Sequence, residues 1–138
     1  MSKATLHTDG GARGNPGPAG IGFVLNIIDG ETIEGAEYIG EATNNHAEYA
    51  ALQRGLAMAQ KKGVQEITCY LDSELVVKQL KGEYRVKHAL LRPLYENVQQ
   101  LARQFDRISF QHIVRAKNKK ADLLVNKALD AAFNIRKD

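Results

Sequence analysis

Glu66-Ile67-Thr68-Cys69-Tyr70-Leu71 is a short strand-forming run, apolar from Ile67 onward except at Thr68, set between two stretches of helical period. A strand with apolar residues on both faces suits the middle of a covered sheet. Upstream, residues 45–62 repeat Ala47, Ala51, Leu52, Leu56 and Ala59 with helical spacing, and Gly63 ends the pattern. Downstream, a second helix is expected from Ser73 to about Leu80, stopped near Gly82. A third is expected over 88–104, with Leu90, Leu91, Leu94, Val98 and Leu101 on its inner side and Pro93 in an early turn. Ile108–Val114 reads as a further strand, and 119–133 as an amphipathic helix through Val125, Leu129 and Phe133. Toward the N-terminus the pattern is different. Ala4–Thr8 reads as a strand ending in Asp9, and residues 19–28 as another. Between them, residues 10–18 hold four glycines and two prolines, which predicts a turn-rich loop. Asp29-Gly30 is a strong hairpin signal leading to a third strand over 31–39. The order βββαβααβα predicts an α/β fold: a five-stranded mixed sheet, antiparallel hairpin plus parallel strands, with helices on both faces. The 138 residues fit a single domain spanning 1–138, without repeats, linkers or low-complexity segments.

The composition, 43% apolar and 25% charged, is that of a folded rather than a disordered chain. No apolar run approaches the roughly 18 residues of a membrane span, and the start, Met1-Ser2-Lys3-Ala4-Thr5, lacks the apolar core of a secretory signal. Cys69 is the single cysteine, which excludes an internal disulfide or a multi-cysteine zinc site, and its apolar neighbours predict a buried thiol. A cytoplasmic setting is expected, with no membrane and no obligate protein partner. The net charge of +3 says little, but its distribution says more. Arg115, Lys117, Lys119 and Lys120 lie in a stretch without acids, and Lys78, Lys81, Arg85, Lys87 and Arg92 form a second cluster diluted by Glu83. Both clusters suit a phosphate backbone, and both also suit an ordinary solvated surface.

Four carboxylates carry most of the functional information. Glu48 shares a helical stripe with Leu52, Gly55, Leu56 and Ala59, and Asp122 shares one with Val125, Leu129, Ala132 and Phe133. A carboxylate on a face that packs against a sheet is costly unless it is paired or binds a cation. Asp9 and Asp72 each end an expected strand. Each acid also has a local explanation. Glu48 can close a capping box with Asn45, and Asp122 can favour a helix N-terminus that Asn118 caps. Asp72 can cap the helix that starts at Ser73, and Asp9 can start an Asx turn. Together they suggest more, because ligands of parallel α/β units bind beyond the carboxyl ends of strands. Clustered carboxylates require a counter-charge, and an all-oxygen ligand set selects hard ions such as magnesium or manganese. Phosphoryl hydrolysis uses such a site, with two ions about 4 Å apart.

Thr8-Asp9-Gly10-Gly11, continued by Ala12-Arg13-Gly14-Asn15-Pro16-Gly17, resembles the opening signature of type 1 ribonuclease H. Thr43-Asn44-Asn45-His46-Ala47-Glu48 is similar to that family's second motif, Asp72-Ser73 to its third, and Asn118-Lys119-Lys120-Ala121-Asp122 to its fourth. The resemblance runs in order along nearly the whole chain. It implies a ribonuclease H-like fold and endonucleolytic cleavage of the RNA strand of RNA–DNA hybrids, giving 5′-phosphate and 3′-hydroxyl ends. It also implies two Mg2+ ions held with substrate, Mn2+ being a substitute. Asp9 would bridge both ions, Asp122 would help hold the ion that activates water, and Glu48 and Asp72 the ion beside the leaving 3′ oxygen. Gly10, Gly11, Asn15, Asn44 and Asn45 match substrate-contacting positions, whose backbone and side-chain amides suit recognition of 2′-hydroxyls. The DNA strand would be read by shape and phosphate contacts.

Two features of the family's longer members have no counterpart. Residues 113–118 are too short for the histidine-bearing loop and contain no histidine. Strand alternation makes neighbouring His112 a buried or sheet-facing residue, which leaves Arg115 as the auxiliary cationic group. Ala116 stands where related short forms often have glutamate. The segment from Gly82 to Leu90 is too short for the basic protrusion, although Lys78, Lys81, Arg85 and Lys87 supply part of its charge. Weaker, strongly salt-dependent hybrid binding is therefore expected. Some compact members of the family act on double-stranded RNA, so it stands beside the hybrid as an expected partner.

Overall fold

The computed structural model describes residues 2–134; residue 1 and residues 135–138, the ends of the expected 1–138 domain, lie outside the described residues. Strands β1 (Lys3–Ala12), β2 (Gly17–Ile27) and β3 (Thr32–Ala42) form an antiparallel meander. Helix α1 (Asn44–Lys61) crosses to β4 (Glu66–Leu71), which pairs parallel with β1. Helices α2 (Glu74–Leu80) and α3 (Arg92–Ala102) precede β5 (Arg107–His112), parallel to β4. A 3-10 turn at Arg115–Lys117 leads into α4 (Lys119–Asn134). The sheet order is β3-β2-β1-β4-β5, the mixed sheet expected.

One face of the sheet carries the main core. Leu6, Ile21 and Leu25 pack with Tyr49, Leu52 and Leu56 of α1 and with Cys69 and Leu71 of β4, and Val98 of α3 closes the layer. The buried thiol predicted for Cys69 is found there. Helix α4 covers the other face above β2 and sits so close that a Cβ at Gly22 would collide with the Ala121 carbonyl. Helices therefore flank both faces. Among the described residues, no helix is long and apolar enough to cross a membrane.

Turn chemistry sets the ends of several elements. At the β2–β3 hairpin Asp29 adopts φ 61°, and the Gly30 N–H donates to the Ile27 carbonyl at 2.9 Å. Gly63, at φ 76°, ends α1 as expected for a left-handed glycine after a helix.

The largest departure from expectation lies in residues 10–18. Strand β1 continues through Gly10, Gly11 and Ala12, which pair with Ile21, Gly20 and Ala19, so only residues 13–16 remain as the turn. Glycine ordinarily weakens a strand. Here it is required, because a Cβ at Gly10 would collide with the Ala47 backbone of α1. Other ends also shift. Strand β3 runs on to Ala42, α3 starts at Arg92 rather than 88 with Pro93 in its first turn, and β5 stops at His112, two residues before Val114.

Candidate metal centre

Strand register brings two of the four carboxylates together, and helices bring the other two to the same cleft. The parallel pairing of β1 with β4 ends at Thr8 opposite Leu71, so the next residues, Asp9 and Asp72, stand side by side. Asp9 lies inside β1, not at its end as the sequence suggested, and it is the end of β4 that leaves it open on that side. Glu48 reaches the same place from α1, where its Oε1 accepts a hydrogen bond from the Gly10 N–H at 2.8 Å. One oxygen each from Asp9, Glu48 and Asp72 lie within 4.8 Å of one another. Asp122, from the first turn of α4, stands outside that triangle but lines the same cleft, and its charge acts on Asp9. A cleft of about 380 Å³ lies between these acids, Asn44 and Arg115.

The electrostatics show how poorly the cluster is neutralised. Asp9 and Glu48 are buried. Burial, with the charges of Asp72 and Asp122 adding to it, pushes the Asp9 carboxyl up to about 7, although its hydrogen bond with Glu48 lowers it. Burial and then the Asp9 charge hold Glu48 well above the usual carboxylate range, against the lowering effect of the Gly10 N–H. The Glu48 Oε2 is buried without a hydrogen-bond partner. Arg115 reaches Asp122 at 3.4 Å from a side chain that is 80% exposed, so water screens much of that attraction.

The local explanation holds for Asp122, which lies in the first turn of α4 with its N–H on the Asn118 carbonyl at 3.1 Å, but not for the other three acids. Thr43, not Asn45, caps α1: its Oγ1 accepts from the His46 N–H at 3.1 Å, which places Glu48 beyond a capping box. Ser73, not Asp72, caps α2, its Oγ accepting from the Val76 N–H at 3.3 Å. Asp9 pairs with Gly22 within a strand, so it starts no Asx turn.

The expected substrate-contacting residues divide into two groups. Gly10, Gly11 and Asn44 line the cleft, whereas Asn15 and Asn45 do not. Asn15 supports the site instead: its Oδ1 accepts from the Asn44 N–H at 3.0 Å, and the Asn44 Oδ1 accepts from the Ala12 N–H at 2.8 Å. These two bonds tie the β1–β2 turn to the start of α1. His112 is exposed rather than buried, because β5 is an edge strand, and its Nδ1 lies 4.0 Å from Glu74 Oε2.

Sequence reasoning gave too little weight to Asn118, treated as a cap for α4. It is 1% exposed, and its Nδ2 donates to the Thr8 carbonyl at 2.8 Å and to Asp72 Oδ2 at 3.3 Å. The available signal was an asparagine one helical turn before Asp122. Arg13, also unassigned, lines the cleft and joins the β1–β2 turn to α4 through a 2.6 Å ion pair with Asp130.

Residues 81–91 contain no helix, and Val86 and Leu91 anchor them in the core. Part of the basic charge is already engaged, Lys78 with Glu74 at 3.2 Å and Lys120 with Glu34 at 3.3 Å. Lys81, Arg85, Lys87, Lys117 and Lys119 are exposed.

A model of the reverse transcriptase-like family matches residues 7–128. Bifunctional protein Rv2228c of Mycobacterium tuberculosis is 48% identical over 132 residues, which make up 94% of this chain and 36% of that protein. The chain thus spans little more than a third of the length of this curated relative. The solved N-terminal RNase H domain of Rv2228c, carried as a fusion with maltose binding protein, aligns with a TM-score of 0.92 at 46% identity, over 99% of each chain. LC11-RNase H1, solved in complex with an RNA/DNA hybrid, aligns with a TM-score of 0.88 at 44% identity, over 94% of this chain and 99% of that one.

Proposed function

Since this chain belongs to the type 1 ribonuclease H family, we propose that it hydrolyses the RNA strand of RNA–DNA hybrids endonucleolytically, leaving 5′-phosphate and 3′-hydroxyl ends. The observation that carries this reading is the desolvated triangle of Asp9, Glu48 and Asp72, in which one buried oxygen, Glu48 Oε2, has no partner. A set of hard oxygen donors holding unneutralised charge fits a divalent cation of the magnesium type. Mg2+ is the proposed ion, two of them with substrate, and Mn2+ the substitute. When bound, such ions make water nucleophilic near neutral pH and stabilise charge on a leaving oxygen.

The residues divide the work. Asp9, which lines one cleft with Glu48, Asp72 and Asp122, would be shared between two ion positions. Glu48 and Asp72 would complete the position on the leaving-group side and Asp122 the one on the water side. The Gly10 N–H fixes the Glu48 carboxylate in direction, and the burial of Asp9 and Glu48 keeps water from competing for their charge. Gly10, Gly11 and Asn44 line the cleft wall that would meet the RNA 2′-hydroxyls, and Asn15 holds Asn44 in place. The bond broken is P–O3′: water supplies the new phosphate oxygen, and the departing O3′ takes a proton. Arg115 offers an auxiliary cation at the mouth of the cleft. Residues 1–138 would act as one catalytic domain in the cytoplasm, where the buried Cys69 stays reduced, without a membrane or an obligate protein partner.

The test is cleavage of short labelled duplexes with and without Mg2+ or Mn2+, comparing hybrid, double-stranded RNA, double-stranded DNA and single-stranded RNA. Metal-dependent cutting of the hybrid is expected, with double-stranded RNA the alternative substrate. If hybrid stays intact at every ion concentration, the enzymatic reading fails.

A further inference from the structure

Asn118 is 1% exposed, unusual for a residue type that mostly stays in water. Its burial is incompletely compensated, since its Oδ1 has no hydrogen-bond partner, a cost that an apolar residue would avoid. Its Nδ2 makes two bonds. One goes to the carbonyl of Thr8, the residue before Asp9, at 2.8 Å, and the other to Asp72 Oδ2 at 3.3 Å. The Asn118 carbonyl also accepts the Asp122 N–H at 3.1 Å in the first turn of α4. One buried residue thus connects the backbone before Asp9, the carboxylate of Asp72 and the backbone of Asp122.

The chemistry of the donor is informative. Asp72 follows the last residue of β4 and is more exposed than Asp9 or Glu48, so little packing holds its carboxylate in direction. A lysine or arginine in the place of Asn118 would orient Asp72 but also cancel its charge. A neutral amide orients the carboxylate and leaves the charge available to a cation. Hydrogen bonds behind ligating carboxylates act in this way at metal sites.

We propose that Asn118 is a positioning residue of the metal centre, locking the Asp72 carboxylate in the direction that lets it share an ion with Asp9 and Glu48. The inference rests on the functional reading above. A purely structural Asn118 would only pin α4 to β1 through Thr8, so the test must isolate the bond to Asp72.

Mg2+ binding to the substrate-free protein is measured by calorimetry for the wild type, Asn118→Ala, Asp72→Asn and the double variant. Urea unfolding reports stability, and hybrid cleavage gives kcat and KM against Mg2+ concentration. Asn118→Ala should weaken Mg2+ binding on the order of tenfold and raise the half-saturating Mg2+ for cleavage. The KM for hybrid at saturating Mg2+ should stay near that of the wild type. In the Asp72→Asn background the same change should cause no further loss of ion affinity, since coupled residues are not additive. Asn118→Ser, smaller but still polar, should show the same loss if the alanine variant fails to fold. Unchanged ion affinity, or equal losses in the two backgrounds, overturns the positioning role. A wild type that neither binds Mg2+ nor cuts hybrid overturns the functional reading and this inference with it.

Discussion

Gly10 and Glu48, 38 positions apart in sequence, are joined by a 2.8 Å hydrogen bond from the Gly10 backbone N–H to Glu48 Oε1. The contact requires α1 to lie almost against β1, and a Cβ at Gly10 would collide with the carbonyl of Ala47. Gly10→Ala should therefore push α1 off the strand, costing about 3 kcal/mol by overpacking and moving Glu48 away from Asp9. Urea unfolding would show the lower midpoint, and hybrid cleavage should fall further than the lost stability explains. A variant with wild-type stability would refute the close approach.

Asp9 and Glu48 make the metal-free protein sensitive to pH. In an unfolded chain their carboxyls titrate near 4, whereas burial and like charge raise Asp9 to about 7 and Glu48 well above its usual range when folded. Between those values the folded state binds more protons than the unfolded state. The stability these groups contribute is complete below about pH 4 and is lost as pH rises through about 7. Thermal melts in a chelator should show a falling Tm over that interval, and Mg2+ should restore it on the alkaline side. Asp9→Asn should remove its own share of the dependence and leave the part that burial of Glu48 supplies, stabilise the metal-free protein above pH 7 by on the order of 2 kcal/mol, and reduce cleavage to background. A flat Tm against pH for the wild type would contradict the raised carboxyls.

The helix caps can be tested in pairs. Thr43→Ala should cost about 1 kcal/mol, the ordinary value of a lost N-cap. Asn45→Ala should change stability by less than roughly 0.5 kcal/mol, because the Thr43 hydroxyl caps α1. Denaturant midpoints decide between them, and the reverse order would restore Asn45 as the cap.

Arg115 is 80% exposed and its ion pair with Asp122 spans 3.4 Å. Arg115→Ala should leave stability within roughly 0.5 kcal/mol of wild type while lowering kcat several-fold. An unchanged kcat would remove Arg115 from the site.

Hybrid affinity should fall steeply with salt, because Lys81, Arg85, Lys87, Lys117 and Lys119 are exposed for phosphate contacts. It should also stay below that of relatives with a basic protrusion, since residues 81–91 form no helix and Lys78 is held by Glu74. Fluorescence anisotropy at matched ionic strengths measures both, and equal affinities would refute the second expectation.

Periodicity and turn chemistry made the element order readable. The strand at Ile67–Leu71 and the hairpin at Asp29-Gly30 stand where the residues implied. The glycine run at 10–17 misled because Gly10 answers to a helix arriving from later in the chain, which no local rule carries, whereas Gly14 and Gly17 do serve the turn. His112 misled for a similar reason: alternation gives the face of a strand but not its place at the sheet edge. The acids were legible as a set. The capping readings of Glu48 and Asp72 failed because the hydroxyls of Thr43 and Ser73 were overlooked as competing caps, whereas Asp122 does lie in the first turn of α4. Asn118 was visible as a letter of a motif, but its contact with Asp72 spans 46 positions and emerges only when α4 folds onto β1.

The hydroxyl caps carry one more consequence. Because Thr43 and Ser73 begin the helices next to Glu48 and Asp72, those acids have no share in starting secondary structure. Helix capping and ion holding are then assigned to different side chains. Helix starts can be strengthened without disturbing ion affinity. Neutralising one buried acid, as in Asp9→Asn, should leave a hardier scaffold, and on the proposed function a single substitution would turn a cutting enzyme into a silent hybrid sensor.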